Sequence, residues 1–204
     1  MLRAVFFDVG ETLVDEERYW REVARIAGLR PHEVWAALGK TIERGEEHWE
    51  LWAHLGVGRP AADGVAYSED DLYPDVRAAL AQVRSSGRLV GVAGNQTPAM
   101  EEWARSAGLP VDFVTSSASL GVRKPDPAFF ERLVALAGVR PAEVAYVGDR
   151  VDNDVLPALH AGLVAFHLRR GPWGRLQETP EGAVAIDSLL EVPAHLADAA
   201  VVGA

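Results

Sequence analysis

Apolar residues recur along the chain in short runs, and helix-length segments separate most of these runs. Each run is rich in Val or Phe and is too short to be a buried helix, so each run predicts a β-strand. The predicted strands span residues 2–7, 89–93, 112–115, 144–147, 163–168 and 183–186.

Four of the intervening segments carry the start or stop signals of α-helices. Three of them begin with proline, which suits the first turn of a helix, and glycine follows the end of each. These predicted helices span residues 74–84, 98–107, 127–137 and 152–161. Strand–helix alternation of this kind predicts an α/β fold built on a doubly wound parallel sheet.

The segment after the first predicted strand interrupts this alternation. It predicts helices over residues 16–27, 31–44 and 46–55, and a return linker rich in Gly, Ala and Pro over residues 56–68. A helical insertion at this point would lie over the C-terminal edge of the sheet, as a cap does. We therefore expect a core of residues 1–14 and 69–204 and a small helical cap of residues 15–68. A solvent-facing loop is expected at residues 169–173, after the fifth strand.

Composition and charge restrict the classes of partner. The apolar fraction of 49% is typical of a globular protein, and 30 acidic against 20 basic residues give a formal net charge of -10. That charge repels nucleic acid and anionic membranes, so neither is an expected partner. The chain has no cysteine, which excludes disulfides and thiol catalysis. No apolar run reaches membrane-spanning length and no signal-peptide pattern is present, so the expectation is a cytoplasmic protein, either a monomer or a homodimer.

Polar residues follow the predicted strands in four places. In chain order these places are Asp8, Gly94-Asn95, Lys124 and the segment from Asp149 to Asp154. Parallel strands bring their carboxyl ends to one edge of a sheet, where open α/β folds bind ligands. The sequence therefore predicts a cluster of carboxylates, one lysine and backbone amides at that edge.

Such a cluster suits phosphoryl chemistry. Two or three carboxylates can hold Mg²⁺, and the cation together with Lys124 can neutralise a phosphate group and an anionic nucleophile. Asp8 can then attack phosphorus and form an aspartyl-phosphate that water hydrolyses. The chain contains only two lysines, and a compact ammonium group suits charge neutralisation in a tight site.

Four motifs in this order resemble those of the haloacid dehalogenase superfamily, and the resemblance extends from residue 2 to about residue 171. The matching segments are Asp8-x-x-x-Thr12-Leu13, Gly94-Asn95, Lys124-Pro125 and Gly148-Asp149-x-x-x-Asn153-Asp154. The resemblance implies a Rossmann-like core with a helical cap, Mg²⁺ dependence and, usually, phosphatase activity on a small phosphorylated metabolite.

The resemblance also implies roles for individual residues. Asp8 is the expected nucleophile and a metal ligand, Asp149 is a second ligand, and Asp154 is a ligand or supports the metal shell. The backbone carbonyl of Gly10 is a further expected ligand. Lys124 is the expected neutralising cation, and it is expected to bind the phosphate together with Gly94 and Asn95.

Two positions depart from the family pattern. Phosphatases of this family usually have Asp two residues after the nucleophile, as general acid and base, and Ser or Thr at the position of Gly94. Gly10 has no side chain, and general acid–base catalysis typically contributes about 10²–10⁴ in rate. We therefore expect a slow hydrolase of the phosphoric monoester class unless Glu11 or water replaces the acid. The open alternatives are a catalytically silent binding protein and a metal-independent 2-haloacid dehalogenase.

Overall fold

The computed structural model describes residues 1–62 and 65–198. Asp63 and Gly64 of the predicted return linker, and residues 199–204 of the predicted core, lie outside the described residues. The described strands are β1 (Ala4–Phe7), β2 (Leu89–Gly94), β3 (Phe113–Ser116), β4 (Val144–Gly148), β5 (Val164–Leu168) and β6 (Val184–Ile186). They form one parallel sheet in the order β3-β2-β1-β4-β5-β6, so the predicted α/β fold is confirmed.

Helices connect the strands. The α-helices are α1 (Glu17–Ile26), α2 (Pro31–Glu43), α3 (Glu50–His54), α4 (Val76–Ser85), α5 (Pro98–Ser106), α6 (Ser117–Leu120), α7 (Pro127–Ala137), α8 (Leu156–His160), α9 (Gly171–Leu176) and α10 (Val192–Asp198). Short 3-10 turns occur at Glu69–Asp71, Pro141–Glu143 and Leu189–Glu191. Across the two described ranges, no helix has both the length and the apolar composition needed to cross a bilayer.

The sheet is covered by apolar side chains on both faces. Val5 and Phe7 of β1 belong to one cluster with buried residues of α4 and α5. Ala4 and Phe6 belong to a second cluster with buried residues of α7 and α8. Successive side chains of a strand point to opposite faces, so a strand buried on both faces is apolar at every position, as β1 is.

Helices α1 to α3 pack around a third hydrophobic cluster, which includes Trp20, Leu38 and Trp52. The chain leaves and re-enters the core side by side, because Val14 pairs with Leu72 in an antiparallel bridge and the Asp15 N–H donates to the Asp71 carbonyl at 2.8 Å. This neck lies near both ends of the predicted cap. The exact boundaries of cap and core stay a prediction.

Two predicted segments differ from the structure. Residues 152–161 do not form one regular helix, because a π-helical turn at Val151–Val155 precedes α8. The Arg150 carbonyl accepts from the N–H groups of both Asp154 and Val155, at 2.8 and 3.1 Å.

The prediction of a solvent-facing loop at residues 169–173 is correct for Arg169, which is exposed and lies outside helices and strands, and is wrong for the second half of the segment. This second half begins α9, and the Trp173 side chain is only 5% exposed because it packs into the cluster of helices α1 to α3.

Candidate active site

Asp8 lies where the central strand β1 ends at the edge of the sheet. Its N–H donates to the Val147 carbonyl of the neighbouring strand at 2.9 Å, so the backbone is still held by the sheet. The Val9 carbonyl then accepts from the N–H groups of Leu13 and Val14, each at 2.9 Å, which closes a tight loop. The sheet and this loop therefore fix the direction of the Asp8 side chain, which is 8% exposed.

Lys124 is almost completely buried and contacts two carboxylates. Its Nζ lies 2.7 Å from Asp8 Oδ1 and 2.5 Å from Asp154 Oδ1. Its backbone is held by Asn95, whose Nδ2 donates to the Lys124 carbonyl at 2.9 Å and whose Oδ1 accepts from the Lys124 N–H at 2.8 Å. The side chain of Asn95 thus positions the loop that carries Lys124.

Asp8, Asp149 and Asp154 form a buried acidic group that could hold a metal ion. One carboxylate oxygen from each lies within 4.8 Å of those of the others. Among the described residues, Asp149 Oδ2 is buried and has no hydrogen-bond partner, although buried polar atoms are normally paired. Three carboxylates with an unpaired buried oxygen match the oxygen ligands that Mg²⁺ prefers, so these residues fit the expected cation.

The electrostatics of the group point the same way. Burial raises the pKa of Asp154 to about 6, although the charge of Lys124 lowers it. Burial, and then the charges of Asp154 and Asp8, raise the pKa of Asp149 well above its usual range. Burial alone would lower the pKa of Lys124, but the same two carboxylates raise it. One ammonium group does not balance three carboxylates, and a divalent cation would remove the excess negative charge.

Glycines let carboxylates approach the strand ends closely. A Cβ atom at Gly94 would lie 2.5 Å from Asp8 Oδ1, and one at Gly148 would lie 2.4 Å from Asp154 Oδ2. Both separations are shorter than non-bonded atoms tolerate. The glycine at position 94, where the family usually has Ser or Thr, therefore accommodates the carboxylate of Asp8 in this arrangement.

Glu11, which together with water was left open as a replacement for the missing acid, lies in a different part of the site. Its backbone has a φ of 52°, and its Oε2 accepts a hydrogen bond of 2.7 Å from the Tyr73 hydroxyl. The same oxygen would lie 2.6 Å from a Cβ atom at Gly171. Burial, and then the charge of Glu16, raise the pKa of Glu11 to about 8. Its carboxyl group is therefore engaged with Tyr73 and the start of α9.

Glu16 also lies in the site, beside Gly10, although it belongs to none of the four motifs. Its Oε1 lies 2.7 Å from the position that a Cβ atom of residue 10 would occupy, and it accepts a hydrogen bond of 2.6 Å from the Tyr67 hydroxyl. Its local sequence predicted only the start of a cap helix. The absence of a side chain at Gly10 was the one available signal that another acid could occupy this space.

The structure thus brings together Asp8, Lys124, Asp149 and Asp154, as the motif spacing predicted. Their catalytic and metal-binding roles, and those of Gly94, Asn95 and the Gly10 carbonyl, stay predictions.

Known proteins match this chain over most of its length. The family model described as haloacid dehalogenase-like hydrolase matches residues 2–162. The chain is 30% identical to glyceraldehyde 3-phosphate phosphatase of Methanopyrus kandleri, with 97% of each chain covered. It is 31% identical to phosphoglycolate phosphatase of Synechococcus elongatus, with 94% of this chain and 84% of the relative covered.

A solved structure extends the match to the fold. L-2-haloacid dehalogenase from Xanthobacter autotrophicus superposes with a TM-score of 0.68 at 21% identity, covering 97% of this chain and 99% of that one. Family model, relatives and fold agree over most of the chain, and the protein therefore belongs to the haloacid dehalogenase-like hydrolases.

Proposed function

We propose that this hydrolase is a Mg²⁺-dependent phosphatase that acts on a small phosphorylated metabolite. The supporting observation is the buried group in which Lys124 contacts Asp8 and Asp154 while Asp149 Oδ2 is unpaired. A lysine and a cation at this point would neutralise both the substrate and its attacker. Two relatives, matched over 97% and 84% of their own length, are named phosphatases of small phosphorylated compounds, and they support the same substrate class.

The chemistry has two steps on Asp8. In the first step, a carboxylate oxygen of Asp8 forms a bond to phosphorus while the bond between phosphorus and the leaving oxygen breaks. The leaving oxygen takes a proton and departs as an alcohol. In the second step, water attacks the phosphorus of the aspartyl-phosphate, gives up a proton and releases inorganic phosphate, which restores the Asp8 carboxylate. Lys124 stabilises the negative charge in both steps through its contact with Asp8.

Mg²⁺ would be held by Asp8 and Asp149, with Asp154 as a further ligand or support and the Gly10 carbonyl as a backbone ligand. When bound, the cation supplies charge neutralisation and orients the phosphate group. The protein's own contribution is to bury these oxygens at one sheet edge and to keep Asp8 beside Lys124.

Release of inorganic phosphate from an aryl phosphate such as 4-nitrophenyl phosphate tests this function. We expect activity with Mg²⁺, loss of activity in EDTA, and no activity for Asp8→Asn. Asp149→Asn should raise the Mg²⁺ concentration that gives half-maximal activity. Activity in the wild-type protein that does not exceed that of Asp8→Asn would refute the proposal.

The missing side chain at Gly10 favours one second candidate, a silent protein that binds the cation or phosphate without turnover. Calorimetric binding of Mg²⁺ and inorganic phosphate without any phosphate release would support this candidate. The same preparation should be offered a 2-haloacid in EDTA, because halide release under those conditions would instead establish dehalogenation through Asp8.

A further inference from the structure

The phosphatase reaction needs a proton donor that residue 10 does not supply. The leaving oxygen must take a proton as its bond to phosphorus breaks, and the attacking water must later lose one. Gly10 follows the nucleophile by two residues and has no side chain, so another group must approach the same space from elsewhere in the fold.

The carboxylate of Glu16 occupies that space. From the position of a Cβ atom at residue 10, Oε1 lies at 2.7 Å, Cδ at 3.0 Å and Oε2 at 3.4 Å. All three carboxylate atoms of Glu16 are therefore adjacent to the point from which an acidic side chain of residue 10 would extend. We propose that Glu16 is the general acid and base of the phosphatase reaction, a role that rests on the proposed function.

Contacts on both limbs of the neck position Glu16, through its backbone on the outgoing limb and through its carboxylate on the returning limb. Glu16 immediately precedes α1, and its carbonyl accepts the N–H of Trp20 at 2.9 Å. Its N–H donates to Glu11 Oε1 at 3.3 Å, and its Oε1 accepts from the Tyr67 hydroxyl on the returning chain at 2.6 Å. A residue whose backbone and carboxylate are both held has a defined position, which proton transfer in a reaction requires.

Glu11 is the rival acid, since it is closer to Asp8 in sequence. Its Oε2 accepts a hydrogen bond from the Tyr73 hydroxyl and lies close to Gly171. Glu11 is therefore nearer to Asp8 in the sequence, but Glu16 is the glutamate that lies beside Gly10. The tight loop after Val9 turns the side chain of Glu11 towards α9.

Glu16 donates one proton and takes up one proton in each turnover. The protonated carboxyl of Glu16 gives its proton to the leaving oxygen as the phosphorus–oxygen bond breaks and Asp8 becomes phosphorylated. The resulting Glu16 carboxylate takes a proton from the water that attacks the aspartyl-phosphate. Inorganic phosphate leaves, and both Asp8 and Glu16 return to their starting states.

Glu16→Gln tests the role through its dependence on the leaving group. For an alkyl phosphate, whose leaving oxygen needs a proton, kcat/KM should fall by about 10²–10⁴. For 4-nitrophenyl phosphate, whose leaving group departs as an anion, kcat/KM should fall by less than about tenfold. Hydrolysis of the aspartyl-phosphate should become slow, so the aryl substrate should show a burst of one nitrophenol per enzyme.

Matched variants complete the experiment. Glu17→Gln changes the next residue, which is exposed and paired with Arg21, and should behave as wild type. Glu16→Ala should show the same leaving-group dependence, and Gly10→Asp placed in that background, where the side chain of residue 16 no longer fills the space, should restore turnover of the alkyl phosphate. Glu11→Gln should not produce the leaving-group dependence.

The outcomes separate this inference from the proposed function. If the wild-type protein has no activity beyond that of Asp8→Asn, both proposals fail. If activity needs Asp8 but Glu16→Gln lowers kcat/KM equally for alkyl and aryl substrates, or lowers neither, Glu16 is not the acid and the phosphatase proposal stands.

Discussion

The buried ammonium group of Lys124 should be required for stability as well as for activity. Lys124→Met keeps an unbranched side chain of similar length but removes the charge that contacts Asp8 and Asp154. Both carboxylates are then buried without their cationic partner. Breaking a buried ion pair by removing one partner costs about 3–5 kcal/mol, against a total stability of about 5–15 kcal/mol for a typical domain.

Urea unfolding in EDTA measures this loss, since a bound cation could replace the missing charge. With a urea m-value of about 2 kcal/mol/M, the expected loss lowers the midpoint by about 1.5–2.5 M. Lys40→Met is the matched control, because Lys40 is the other lysine of the chain and is exposed on α2. Its effect should stay within about 0.5 kcal/mol.

A double-mutant cycle measures the coupling between Lys124 and Asp154. Asp154→Asn in the Lys124→Met background removes one of the two buried carboxylates that have lost their cationic partner. The double variant should therefore lose less stability than the sum of the single variants, by about 0.5–3 kcal/mol. Additive effects, or a loss for Lys124→Met below about 1 kcal/mol, would show that the ion pairs do not hold the site together.

Two further predictions concern the core and the cap. Gly91→Ala would place a Cβ atom 2.3 Å from Phe6 Cδ1 inside the sheet, so it should cost about 1–3 kcal/mol in urea unfolding, whereas Gly39→Ala, with no atom within 4 Å of the new Cβ, should be neutral or stabilising. Burial, with a smaller contribution from nearby arginines, lowers the pKa of His48 from 6.5 to about 4. The unfolded chain therefore binds more protons than the native state between these values, and stability should fall as the pH drops from about 6.5 to about 4, by at most about 3 kcal/mol. His48→Gln should reduce the dependence of stability on pH in this range, whereas the exposed control His32→Gln should not. An unchanged dependence in His48→Gln would contradict a lowered pKa of His48.

The strand pattern was predictable because burial on both faces leaves a local record in the sequence. The predicted strand at residues 2–7 overlaps β1, and the one at residues 144–147 lies inside β4. Parallel pairing of such strands carries Asp8 and Asp149 to the same edge. The proximity of these two carboxylates therefore followed from the order of the elements.

Contacts that depend on the path of a loop have no local pattern in the sequence that predicts them. Glu11 and Glu16 are both acids in the segment after β1, and no local pattern distinguishes the one that lies beside Gly10. The choice depends on the positive φ of Glu11 and on the hydrogen bond from Tyr67, which is 51 residues away from Glu16 in the chain. Likewise, Trp173 lies in a stretch that resembles a loop, and it is buried because helices α1 to α3 lie over it.

The sequence by itself determined the α/β architecture and the set of chemical groups at the sheet edge, because short apolar runs and strand-end residues are local features with one arrangement in a parallel sheet. Only the tertiary structure decided which oxygens Lys124 contacts, that Asn95 holds the lysine loop, and which glutamate occupies the space beside Gly10. Those contacts join residues far apart in the chain through the precise course of the backbone, and no property of the separate segments specifies that course.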